Sequence, residues 1–138
     1  MTGSVVAGCG GKSSGVEPAI RNFEYPKIVP ALCEALDLVR TGNPNQANVV
    51  YYDRAHFGLH ALAADVDAKD PKLGNQLFRK HAFVEGDLSS FSPQLRVDLA
   101  ALIYLARQGL AVLHQPAPAP CGGTGEGGGT AEATTTTL

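Results

Sequence analysis

Apolar residues recur at alternating steps of three and four along three stretches of this chain. Val49, Tyr52, His56, Leu59, Ala63 and Val66 follow the pattern in the first. Leu73, Leu77, His81, Val84 and Leu88 follow it in the second. The third carries Leu95, Leu99, Leu102, Ala106 and Leu113, with Ile103 and Leu110 widening the stripe. This is the period of an α-helix that buries one face, and histidines take two of the core-facing positions.

Proline marks where these helices begin. Asn43-Pro44, Asp70-Pro71 and Ser92-Pro93 each put a side-chain acceptor at the N-cap and a proline at the first helical position. The acceptor satisfies an orphan amide, and proline lacks the N–H that would have gone unpaired there. Val29-Pro30 is a fourth start without a capping side chain. The spacing predicts helices over about 30–40, 44–68, 71–85 and 93–114, with Gly42 and Gly86 in the C′ position that favours glycine. Connections this short make successive helices antiparallel, so the expected fold is an all-α, antiparallel four-helix bundle.

Helix one is short on this reading, roughly 16 Å against about 37 Å for helix two at 1.5 Å per residue. Ile20, Phe23, Tyr25 and Ile28 are expected to form an extended N-terminal strap over the rest of the groove. Pro18 and Pro26 argue against a continuous helix there. A gap beside the short helix is then a candidate small-ligand site.

Composition sets the domain limits. The 138 residues carry a formal net charge of −2 and no Lys/Arg run, which excludes nucleic acid and an anionic membrane surface as expected partners. Leu99 to Ala106 is strongly apolar but bracketed by Arg96, Asp98 and Arg107, as in a buried helix. Residues 1–15 read as a leader and flexible tether, 16–121 as the bundle domain, and 122–138 as a disordered Gly/Thr-rich tail. Gln115 to Pro120 reads as a polyproline II spacer.

Val6-Ala7-Gly8-Cys9, followed by Gly10-Gly11-Lys12-Ser13-Ser14-Gly15, resembles the lipobox and tether of bacterial lipoproteins. Upstream, only Val5, Val6 and Ala7 are apolar and no Lys or Arg occurs, so the resemblance rests on the box itself. It implies a lipidated Cys9, an anchor on the outer face of the bacterial cytoplasmic membrane, and an envelope protein as the natural kind of partner. With Cys9 taken by lipid, Cys33 and Cys121 remain as a pair, and an oxidising compartment allows a disulfide. The bundle topology favours that bridge, because the start of helix one and the end of helix four share one end and the spacer can fold back. In the chain-entropy model so long a loop stabilises by about 4–5 kcal/mol.

Three of the four histidines fall inside helices. His56 and His60 are spaced i, i+4, and Asp53 lies one turn before His56. His81 and Glu85 form a second i, i+4 pair, and His60 and His81 stand at matching depths from the turn at Asp70-Pro71. Asp53, His56, His60, His81 and Glu85 are therefore the candidate metal ligands of one bundle-core site. Imidazole with carboxylate suits Zn²⁺, Cu²⁺, Ni²⁺ or iron; no Cys-x-x-Cys-His motif occurs for covalent haem attachment, and non-covalent haem is the less favoured ligand because the small core would need to open for it. The zinc-protease pattern is absent, since Phe57 stands where its general base would be, and no catalytic residue is assigned. The alternative is a non-catalytic envelope adaptor whose histidines are structural.

Overall fold

The computed structural model describes residues 18–122, with the backbone alone for residues 18–23. The lipobox-like segment with Cys9, and the tail beyond Gly122, lie outside the described residues. Four helices pack together, and among the described residues there is no strand. Here α1 is Pro18–Arg40, α2 spans 44–69, α3 is Pro71–Ser90 and α4 is Leu95–Val112. Each helix touches its neighbours in chain order, α1 closes on α4, and α2 also meets α4 across the core.

The strap is replaced by helix. α1 runs unbroken through Pro26 and Pro30, and its length leaves no gap beside a short first helix. Each internal proline removes an i→i−4 bond, a cost of about 3 kcal/mol. Both prolines lie on the exposed face, where water can serve the carbonyls left over. On the opposite face Tyr25, Ile28, Val29, Leu32 and Leu36 are all buried. At about 1.5–3 kcal/mol for each large apolar side chain, their burial outweighs the two lost bonds.

The other boundaries follow local chemistry. Gly42 closes α1 with φ of 86°, a left-handed conformation that costs glycine nothing. Asp70 caps α3, its Oδ1 accepting from the Leu73 amide at 3.1 Å. Gly86, expected just beyond the end of α3, lies inside it, because the helix continues far enough to bury Leu88. The left-handed residue that ends it is Phe91, with φ of 54°. Pro93 falls in a turn before α4, where the Ser92 hydroxyl accepts from the Gln94 amide at 3.0 Å.

The buried stripes match the expected ones on α3 and α4 and only partly on α2. Leu73, Leu77, His81, Val84 and Leu88 are all buried, as are Leu95, Leu99, Leu102, Ile103, Ala106 and Leu110. Leu113 lies just past the end of α4 and is only partly buried. On α2 the stripe holds from Leu59 through Ala63 to Val66, but Val49 and Tyr52 point outward and Ala47, Val50 and Tyr51 point inward. The cause is a π-helical segment, Tyr51–Ala55, between the α-helical parts Pro44–Val50 and His56–Lys69. One extra residue per turn shifts the phase of everything before it.

Glycines let three of the helices approach closely. A Cβ at Gly74 would sit 2.5 Å from Asp67 Cα, so the α2–α3 hairpin closes backbone against backbone. One at Gly58 would lie 2.9 Å from Ile28 Cγ1, so Gly58 is where α2 meets α1. The sulfurs of Cys33 and Cys121 are bonded, with Cα atoms 5.3 Å apart across 88 residues of sequence. The returning segment is also held by Arg107, whose Nε donates to the Pro118 carbonyl at 3.1 Å. No helix among the described residues is long and apolar enough to cross a membrane.

Candidate metal centre

The α2–α3 hairpin brings the histidines together. Gly74 meets Asp67, His81 meets His60 and Glu85 meets His56, so positions rise along α3 as they fall along α2. The ligand atoms of His56, His60 and Glu85 all lie within 4.8 Å of one another. Two donors on one tetrahedral ion with bonds of about 2.0–2.2 Å stand roughly 3.3–3.6 Å apart, a spacing that the widest separation in this set exceeds by at most about 1.2–1.5 Å.

Glu85 Oε2 is the hub. It accepts from His56 Nδ1 at 2.7 Å and from the Tyr51 hydroxyl at 3.0 Å. Because a carboxylate only accepts, His56 carries its proton on Nδ1 in this arrangement. Glu85 Oε2 also lies 3.8 Å from His81 Nε2. An ion that takes the place of the His56 proton would find a nitrogen and a carboxylate oxygen already facing each other.

His81 stands behind His60. Their Nε2 atoms are 3.2 Å apart, so one ring donates and the other accepts. His81 is buried, whereas His60 is exposed and His56 half-buried. His81 Nδ1 is buried without a hydrogen-bond partner, which leaves this ring without the orienting bond that metal-ligating histidines usually have. The converging set is therefore His56, His60 and Glu85, with His81 buttressing His60.

One expected ligand falls away, and one residue of the site was not expected. Asp53 is exposed in the π segment and is not one of the three residues whose ligand atoms converge. Tyr51, which lies off the expected apolar stripe, is fully buried with its hydroxyl on Glu85. The signal was available as Ala47, Tyr51, Ala55 and Leu59, four small or apolar residues at even steps of four. That spacing is longer than the 3.6 residues of an α-turn and suits an underwound segment.

The electrostatics favour an uncharged His60. Partial desolvation lowers the pKa of His60, the neighbouring His81 and His56 lower it further, and Glu85 only partly opposes them. Neutral imidazole is the form a metal requires. Burial raises the Tyr51 pKa far above its ordinary value, and the Glu85 charge and hydrogen bond add to it, so this group remains a phenol and a donor. Tyr52, His56, His60, His81 and Phe78 form a continuous row of ring contacts, with centroids 5.1, 4.5, 4.5 and 6.2 Å apart. Tyr52 and Phe78 are exposed at the two ends of the row.

No family model matches the chain, and neither a curated protein nor a solved structure matches it.

Proposed function

We propose that this bundle is a non-enzymatic binding module for a divalent transition-metal ion, held by His56, His60 and Glu85. The observation that carries the proposal is the convergence of two imidazoles and one carboxylate from two helices within 4.8 Å. Nitrogen with oxygen donors suits Zn²⁺ or Cu²⁺, with iron as a further candidate. Loading would move the His56 proton from Nδ1, giving the ion that nitrogen beside the Glu85 oxygen. His81 would hold the His60 ring by its hydrogen bond.

The module belongs, on this proposal, outside the cytoplasm, tethered through lipid on Cys9. The Cys33–Cys121 disulfide supports an oxidising compartment, since such bonds persist there and are rare in the cytosol. The adaptor reading keeps one specific support: Tyr52, Phe57, Phe78 and Phe83 on α2 and α3 are exposed aromatics. Titration of the native chain with Zn²⁺ and Cu²⁺ separates the two. Near-stoichiometric uptake that His60→Ala weakens at least about tenfold is expected of a metal module. Equal uptake by wild type and a His56/His60/Glu85 triple variant would leave the adaptor reading.

A further inference from the structure

We infer that Tyr51 is a positioning residue of the metal centre, holding Glu85 through its phenol hydroxyl from a place that the π segment creates. The inference rests on the metal reading above. Tyr51 and His56 are five residues apart, yet both bond one atom, Glu85 Oε2, at 3.0 and 2.7 Å. In a regular α-helix residues i and i+5 point about 140° apart and could not converge on one oxygen of a neighbouring helix. The Tyr51–Ala55 segment, with its i→i+5 hydrogen bonding, brings them to nearly the same face.

The two donors have different fates when an ion arrives. The His56 proton leaves Nδ1, because that nitrogen becomes a ligand, and the ring takes the Nε2–H tautomer. The Tyr51 hydroxyl stays on Glu85, because it is fully buried with that carboxylate as its hydrogen-bond partner. Tyr51 thus supplies a fixed hydrogen bond that orients the ligating carboxylate, the task that outer partners perform in metal sites. It does not touch the ion.

Tyr51→Phe in the full-length chain tests this, with Co²⁺ as a spectroscopic probe and Zn²⁺ as the competing ion. The phenyl ring keeps the buried volume, so the variant should melt near wild type. Its Zn²⁺ affinity should fall about 10–100-fold, and its Co²⁺ visible bands should shift as the carboxylate reorients. Wild-type affinity and an unchanged Co²⁺ spectrum in the variant overturn the inference alone. Absence of uptake by wild type overturns the metal reading and this inference with it. Should Tyr51→Phe fail to fold, histidine ¹⁵N spectra of the wild type decide. His56 should switch from Nδ1–H to Nε2–H on adding Zn²⁺, and retention of Nδ1–H contradicts the arrangement.

Discussion

His60 and His81 meet nitrogen to nitrogen, Nε2 to Nε2 at 3.2 Å, across the contact between α2 and α3. Partial desolvation first, and then the nearness of His81 and His56, disfavour a proton on His60, so its pKa lies below its ordinary value. The sign follows from linkage. The unfolded chain takes up this proton at a higher pH than the folded one, so the stability His60 contributes is present above about pH 6.5 and is lost as pH falls through the folded pKa. Metal-free protein should therefore lose melting temperature on acidification below neutrality, and His60→Gln should flatten that limb.

A carboxyl pair between α3 and α4 acts in the opposite direction. Burial first, and then a hydrogen bond to Asp98, raise the Asp87 pKa from 3.8 to about 6. The same hydrogen bond lowers that of Asp98, which also pairs with Lys80 at 3.1 Å. A raised carboxyl pKa means stability that is present at low pH and declines as pH rises from about 4 towards 6. Asp87→Asn should remove this decline in thermal melts across that range while leaving the His60 limb in place.

Glycine substitutions should separate by what a Cβ would meet. Gly86 has open space around it inside α3, so Gly86→Ala should stabilise by about 0.5–1 kcal/mol. At Gly74 the new atom would meet Asp67 backbone at 2.5 Å, and backbone cannot move aside cheaply. Gly74→Ala should cost about 1–3 kcal/mol and loosen the hairpin that carries the site. Denaturant midpoints of the two variants check both signs.

The π segment invites a deletion. Removing exposed Asp53 would turn the even steps of four at Ala47, Tyr51, Ala55 and Leu59 into an ordinary α-helical alternation with the same faces inward. A chain lacking Asp53 should fold with regular helix through α2, seen as recovery of i→i+4 amide protection in hydrogen exchange. Loss of the folded state would show that the extra residue serves more than the phase of the helix.

How far this was legible in the sequence depended on the helix. α3 could be read completely in its buried stripe, because Asp70-Pro71 fixes its start and nothing interrupts the period. The pairing of His60 with His81 followed from counting away from that turn. α1 is hidden in the sequence because Pro18 and Pro26 argue against a continuous helix, whereas in the fold Pro26 and Pro30 share the solvent face and leave Tyr25, Ile28 and Leu32 to drive it. α2 was misread in phase, since one inserted residue exchanges Tyr52 for Tyr51. The same slip put Asp53 in the candidate site in place of the tyrosine that bonds Glu85. The disulfide was legible because topology placed both ends together.

The central claim is that His56, His60 and Glu85 hold one ion. X-ray absorption of the zinc-loaded chain tests it most directly. About one zinc per chain is expected, with two imidazole nitrogens and carboxylate oxygen at roughly 2.0–2.2 Å and no sulfur. A shell of oxygen alone, unchanged when His60 is replaced by alanine, would contradict it.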